Sequence, residues 1–200
     1  YGVMHRMHHA FADTEDDPHS PKYDESIFKM MWKTKTIYSA IASGEEIPEK
    51  RFTDGVPRWE IFDRFARSWP SRVIWGASYV VFYYFFATEI WLWALLPLQF
   101  LFSPIHGAII NWFAHKYGYR NYDVKDTSRN FLPFDFLMMG ESYHNNHHKY
   151  GNRPNFGGIR WHEIDPTYQM IKVLNFFGVI KIKEHKEVAL RENLKRKQAA

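Results

Sequence analysis

The chain has 200 residues, a formal net charge of +4 and no cysteine. Without thiols it can form neither disulfides nor Cys-type zinc or iron–sulfur sites, and a mild charge with no basic tract alternating with stacking aromatics argues against nucleic acid as a partner. Aromatic residues make up 18% (17 Phe, 12 Tyr, 8 Trp), a content that suits Trp and Tyr placed at a lipid interface, and eleven His demand an explanation.

The chain opens Tyr1-Gly2-Val3-Met4 with no signal-peptide pattern. A dense histidine motif follows at once, His5-Arg6-Met7-His8-His9. With nothing before it to support it, the expectation is a fragment of a longer protein. Residues 1–72 are polar and mixed, with the acidic run Asp13 to Asp17, turn signals at Asp17-Pro18 and Ser20-Pro21, and a loop over 44–58 marked by Gly44, Pro48, Gly55 and Pro57. From Trp59 to Trp69, apolar residues recur at helical spacing (Trp59, Phe62, Phe65, Ala66, Trp69) with Arg64 and Arg67 between them. That pattern predicts an amphipathic helix on a membrane surface.

Val73 to Thr88 and Ile90 to Ala114 carry no charge, and Glu89 alone interrupts them. A bilayer core takes roughly 20 apolar residues per helix, so residues 73–115 predict a transmembrane hairpin turning near Ala87–Ile90. A buried hairpin of a large soluble protein would need covering surface that the rest of the chain lacks. Arg64, Arg67 and Arg72 precede the hairpin; Lys116, Arg120, Lys125 and Arg129 follow it; the turn has no Lys or Arg. Positive flanks stay in the cytoplasm, so segments 1–72 and 116–200 are both expected there. Trp75, Trp91, Trp93 and Trp112 are read mainly as lipid-facing, with an acyl tunnel as the alternative. The tail from Lys181 to Ala200 interleaves Lys and Glu as a charged helix or solvated end.

The motif of residues 5–9 returns as His144-Asn145-Asn146-His147-His148. In HxxHH the three rings stand at i, i+3 and i+4, on one face of a helix. Neutral imidazole is a common transition-metal ligand, and two such boxes on one side of a membrane point to a metal rather than to two polar surface helices. Asn111 and His115 stand i and i+4 apart at the cytoplasmic end of the second span, where polar groups need a partner. His106 lies deeper, about half a revolution away, and is read as a packing or hydrogen-bonding residue. His19, His162 and His185 lack a partner at ligand spacing. The candidate ligands are thus His5, His8, His9, His115, His144, His147 and His148. Seven are too many for one ion and suggest two, of iron, copper or zinc rather than magnesium or calcium. Asp13, Asp17, Asp123 and Glu141 are candidates to hold the rings' other nitrogens, with Glu141 favoured because it precedes His144 by three residues.

Three segments resemble a known family. HRMHHAFADTEDDPHSP from His5 resembles the second histidine box of the fatty-acyl desaturases. NWFAHKYGYRNYD from Asn111 resembles the stretch that, in the acyl-CoA branch, supplies a further His ligand and a water-bridging Asn. GESYHNNHH from Gly140 resembles the third box. The match runs in order along essentially the whole chain and is closer to bacterial members. The resemblance implies an all-α fold: an integral-membrane bundle of four spans, two of them here, with a cytoplasmic helical cap, in a bacterial inner membrane. It implies two non-haem iron ions, the seven His as ligands, and Asn111 holding a metal-bound water. The implied reaction takes O2, two electrons and a saturated acyl chain and gives a cis double bond and water. The implied partners are a fatty acyl substrate on CoA, lipid or carrier protein, and an electron donor such as a ferredoxin, rubredoxin or cytochrome b5 type protein.

Two features depart from the pattern. An earlier HxxxxH box, which completes the family's site, has no counterpart before His5, so this fragment alone is expected to be inactive. Animal members carry Arg-Asp where Val3-Met4 stands here, which leaves the acyl carrier open. A membrane di-iron hydroxylase or ketolase, or a non-enzymatic membrane metal-binding protein, remains the alternative.

The topology is checkable. With His9→Cys, His148→Cys and Glu89→Cys, an impermeant thiol reagent applied from the periplasmic side should label only position 89; labelling at 148 overturns the orientation.

Overall fold

The computed structural model describes residues 1–182, so His185 and nearly all of the charged tail lie outside the described residues. These are helical: α1 Gly2–Phe11, α2 Ile27–Ser43, α3 Lys50–Thr53, α4 Glu60–Arg67, α5 Trp69–Phe86, a 3-10 helix Ile90–Leu95, α6 Leu96–Phe113, α7 His144–Lys149 and α8 Pro166–Phe176. Among them there is no strand, only isolated bridges of Asn130 to Tyr119 and to Tyr143. The expected all-α class holds. Two compact units divide the chain, Tyr1–Phe113 and the residues from Ala114 onward.

In the first unit, Ser26 caps α2 by accepting from Lys29 N (3.3 Å), and Gly44 closes it in the left-handed region at φ +81°. Arg6 reaches from α1 to the carbonyls of Phe52 (3.3 Å) and Asp54 (2.6 Å), and Phe11 packs on Phe52 at 5.6 Å between centroids. The amphipathic stretch forms α4, with no buried residue. Ser68 caps α5, and Pro70 sits in its first turn, where its missing N–H costs nothing. The chain breaks at 87–89 before the 3-10 helix. Gly76 of α5 faces the Phe100 ring of α6, which Tyr79 meets edge-on at 5.6 Å.

Of the two expected spans, one passes as a membrane-crossing helix by length and composition: Ile90–Phe113, 24 residues. At 18 residues, α5 is about 27 Å long. It carries Arg72, Ser71, Ser78 and three tyrosines, so it is long enough but too polar to pass the same test. The four-span bundle is therefore not established. Val73, Ile74, Trp75, Phe82, Phe85, Phe86, Phe102 and Trp91 are nonetheless exposed, an amount of apolar surface of the kind that marks a lipid or protein contact.

The interior is the reverse. Buried apolar side chains are few (Met4, Met30, Phe52, Ile110, Ala114, Tyr143), whereas His, Asp, Asn and Ser dominate the buried set. In the second unit loops are pinned by carboxylates. Asp135 accepts from the backbone N–H groups of Met138 (2.7 Å), Gly140 (2.9 Å) and Ser142 (2.9 Å). Asp165 accepts from Phe156 N and Tyr168 N, both at 2.9 Å. Gly140 is required between them: at φ +98°, a Cβ there would lie 2.4 Å from Asp165 Oδ1.

Glu141 shares this neighbourhood without such donors. Burial first, then the charges of Asp165 and Asp135, raise its pKa from an ordinary 4.5 to about 7. Because the folded-state value is raised, its contribution to stability is fully present below the unfolded pKa and is lost as pH climbs through about 7. Glu141→Gln removes that loss. Against wild type, the variant should differ by less than about 1 kcal/mol at pH 5 and be more stable at pH 8.5 by about 3 kcal/mol. Unfolding followed in detergent at both pH values checks this, and an advantage confined to pH 5 would refute it.

Candidate metal centre

The first box lies on α1. At the i, i+4 spacing, His5 and His9 bring their Nε2 atoms to 3.1 Å. His8 is fully buried and turns its Nδ1 to Asp17, at 2.9 and 3.0 Å from the two carboxylate oxygens. A carboxylate only accepts, so Nδ1 carries the proton and Nε2 keeps its lone pair. Asp17 is itself fixed, accepting from Asp13 N (2.9 Å) and His19 N (3.0 Å), while Lys33 holds its carbonyl at 2.9 Å. Burial and then the neighbouring His9 push the His5 pKa down to about 4, so this ring is neutral at physiological pH.

The second box forms α7 in the other unit. His144 Nε2 lies 3.1 Å from His148 Nε2 and 3.1 Å from His115 Nε2. His148 Nδ1 donates to Asp126 Oδ2 at 3.0 Å, and His115 Nδ1 lies 3.2 Å from Thr127 Oγ1. His147 is buried with its ring stacked on Phe156 at 4.0 Å. Metal–imidazole bonds of about 2.1 Å put neighbouring ligands of one ion roughly 3 Å apart. The observed nitrogen spacing, with the Nδ1 atoms of His8, His115 and His148 turned to oxygen partners, suits a cation-holding donor set. Among the described residues, His115, His144 and His148, and separately His8, Asp17 and His19, group their ligand atoms within 4.8 Å.

The remaining candidates fall as follows. Asn111 is half-buried in the last turn of α6. His115 stands in the turn beyond Phe113 rather than on a continued helix, so the expected i, i+4 face stops short of it. Asp123 does not hold a ring: its side chain is fully exposed and faces Arg120 at 4.0 Å. Nor does Glu141, whose carboxyl accepts no hydrogen bond among the described residues. The acceptor on His148 is Asp126, which the sequence reading did not name because 22 residues separate them. His19, read as lacking a partner at ligand spacing, stacks on His8 at 4.1 Å. His106 stacks with Phe102 at 5.9 Å, and His162 donates from Nδ1 to Pro133 O at 2.7 Å. Asp13 accepts from Ser20 Oγ at 2.8 Å.

The backbone of α7 is held by its two asparagines. Asn145 Oδ1 accepts from Asn121 N and Tyr122 N, both at 2.8 Å, and its Nδ2 donates to Tyr122 O (3.0 Å) and Ser128 O (3.2 Å). Asn146 Oδ1 accepts from Asn121 Nδ2 (2.9 Å) and Asn130 Nδ2 (3.1 Å), and its Nδ2 donates to Phe156 O (2.8 Å) and Glu163 Oε2 (3.1 Å). Each amide thus makes all four of its hydrogen bonds.

The family model for fatty acid desaturases matches residues 1–174. The chain is 31% identical over 183 residues to a Delta-9 desaturase-like 4 protein of Arabidopsis thaliana, covering 88% of this chain and 56% of that protein. It is 28% identical over 184 residues to the sn-1 stearoyl-lipid 9-desaturase of Anabaena variabilis, with 88% and 61% covered. The enzyme of the same description from a Synechocystis species is 31% identical over 190 residues, with 89% and 53% covered. No solved structure matches. The chain spans a little over half the length of the curated relatives it matches. With two HxxHH boxes, each drawing imidazole nitrogens to metal-ligand spacing, the chain belongs to the fatty acid desaturase family.

Proposed function

We propose that this chain carries most of the metal-binding machinery of a membrane-bound acyl desaturase, an oxygen-dependent oxidoreductase that inserts a cis double bond into a saturated acyl chain at two histidine-held irons. The observation that carries this reading is the convergence of Nε2 atoms at 3.1 Å in each box within a chain matched by the desaturase model. His5, His8, His9, His115, His144, His147 and His148 are the proposed ligands, with Asn111 acting through a water. When bound, the iron pair supplies the O2 activation and C–H oxidation that no side chain can perform. The chain's own residues do the rest. Asp17 and Asp126 hold a proton on the Nδ1 of His8 and His148 and so aim their Nε2 lone pairs. Phe156 fixes the plane of His147, and burial keeps His5 neutral.

The substrate class follows from the relatives: two of them are named stearoyl-lipid 9-desaturases, which favours a lipid-linked saturated chain over a CoA or carrier-protein ester. The electron donor is a one-electron protein of ferredoxin, rubredoxin or cytochrome b5 type. The apolar surface of α5 and the 24-residue stretch ending at Phe113 support a multi-pass membrane protein with both boxes on the cytoplasmic side.

The test uses the full-length protein supplied with a saturated acyl lipid and an electron donor. The product should be an alkene; an alcohol or ketone would indicate a hydroxylase or ketolase. His144→Ala and His147→Ala should each abolish product and lower bound iron, while His185→Ala stays near wild type. Asp126→Asn should weaken iron binding about 10-fold to 100-fold. Desaturation that survives His147→Ala but not His185→Ala would refute the ligand assignment.

A further inference from the structure

Between the ligand candidates of α7, Asn146 faces away from them into a buried polar network centred on Glu163. That carboxylate, 3% exposed, accepts from six donors. Oε1 takes Tyr119 OH (2.8 Å), Asn121 Nδ2 (2.6 Å) and Asn130 Nδ2 (3.3 Å). Oε2 takes Asn146 Nδ2 (3.1 Å), Ile159 N (3.0 Å) and Arg160 N (3.1 Å). Asn121 and Asn130 also donate to Asn146 Oδ1, so Glu163 orients the same amides that hold the box.

The helix so held has six residues, too few to be stable alone. Its rotation about its own axis is set by what its back face binds. Asn146 immediately precedes His147 and His148, so a turn of the helix that released Asn146 would swing both rings.

We propose that Glu163 is a positioning residue for the metal site: through Asn146 it fixes the rotation of α7 and hence the direction of His144, His147 and His148. The proposal rests on the metal-centre reading above. It assigns a role to a side chain that is no ligand, touches no ring of the box and lies 15 residues beyond His148.

Glu163→Gln tests it with little change of shape. Both carboxylate oxygens face only donors, so the amide nitrogen of glutamine must point an N–H at another N–H whichever way it turns. Asn146→Asp is the complementary variant, turning the donor to Glu163 and Phe156 O into an acceptor. Arg129→Gln is the control for loosening the same unit, since it removes only the exposed bond to Gly118 O. In the full-length protein, Fe(II) affinity and the ligand-field spectrum of bound Co(II) are measured alongside near-UV circular dichroism and elution volume. Glu163→Gln and Asn146→Asp should remain folded, bind Fe(II) at least about tenfold more weakly and shift the Co(II) bands, while Arg129→Gln matches wild type in both. Wild-type affinity and spectrum in a folded Glu163→Gln or Asn146→Asp variant overturns the proposal alone. If neither variant folds while Arg129→Gln does, Glu163 serves folding rather than positioning, which also overturns it. A wild-type protein that binds no iron removes the metal reading, and the proposal with it.

Discussion

Two imidazole nitrogens 3.1 Å apart repel unless a proton or a cation lies between them. The second unit presents two such contacts, both converging on His144 Nε2, and the first presents one between His5 and His9. Protons could relieve one contact at a time, but Asp126 draws the proton of His148 to the far side of the ring. Asp17 does the same for His8. A carboxylate on Nδ1 thus decides the tautomer and leaves Nε2 as a lone pair aimed at its neighbours. That set of donors suits a positive charge, and the two carboxylates serve to orient it.

The carboxylates in turn need holding. Asp17 is fixed by the backbone N–H groups of Asp13 and His19, which places Asp13 in the left-handed region at φ +61°. Asp126 accepts from Ser128 N at 2.9 Å, while Arg120 ties the carbonyls of Val124 and Asp126, both at 2.8 Å. These loops carry polar groups inside, while helices such as α5 leave Phe, Trp and Val side chains outside, the inverse of a water-soluble core. Such an interior is safe only when its groups are paired, because in low dielectric a half-satisfied network costs more than an apolar one. The Asn121, Asn130, Asn146 and Glu163 group meets that condition with reciprocal bonds throughout.

What could be read from the sequence was what helical periodicity fixes locally. HxxHH places its first and last rings one turn apart, and both boxes show that pair at 3.1 Å. Contacts that depend on chain return were not legible. Asp123 and Glu141 were nearer in sequence to a box or to His115 than Asp126 is to His148, yet the loop folds Asp126 back and leaves Asp123 in solvent. The helix through Asn111 was expected to reach His115 and ends at Phe113. Absence of charge suggested two spans of equal standing, but the tyrosines, serines and Arg72 of α5 separate it from Ile90–Phe113.

Each box presents its rings on one face of its helix; the two differ on the opposite face, and the difference follows from helix length. The first box sits on ten residues with Met4 buried beneath it. There Arg6 suffices as an anchor, reaching two carbonyls near α3. The second box occupies six residues, has no apolar side chain of its own and buries Asn145 and Asn146 instead. A six-residue helix gains almost nothing from propagation, and leucines at those positions would bury area without fixing rotation, since apolar packing has no direction. An amide with two donors and two acceptor sites, all engaged, admits one orientation. Asn145 and Asn146 therefore give this helix a directional hold on the converging rings of His144 and His148 that its length cannot provide.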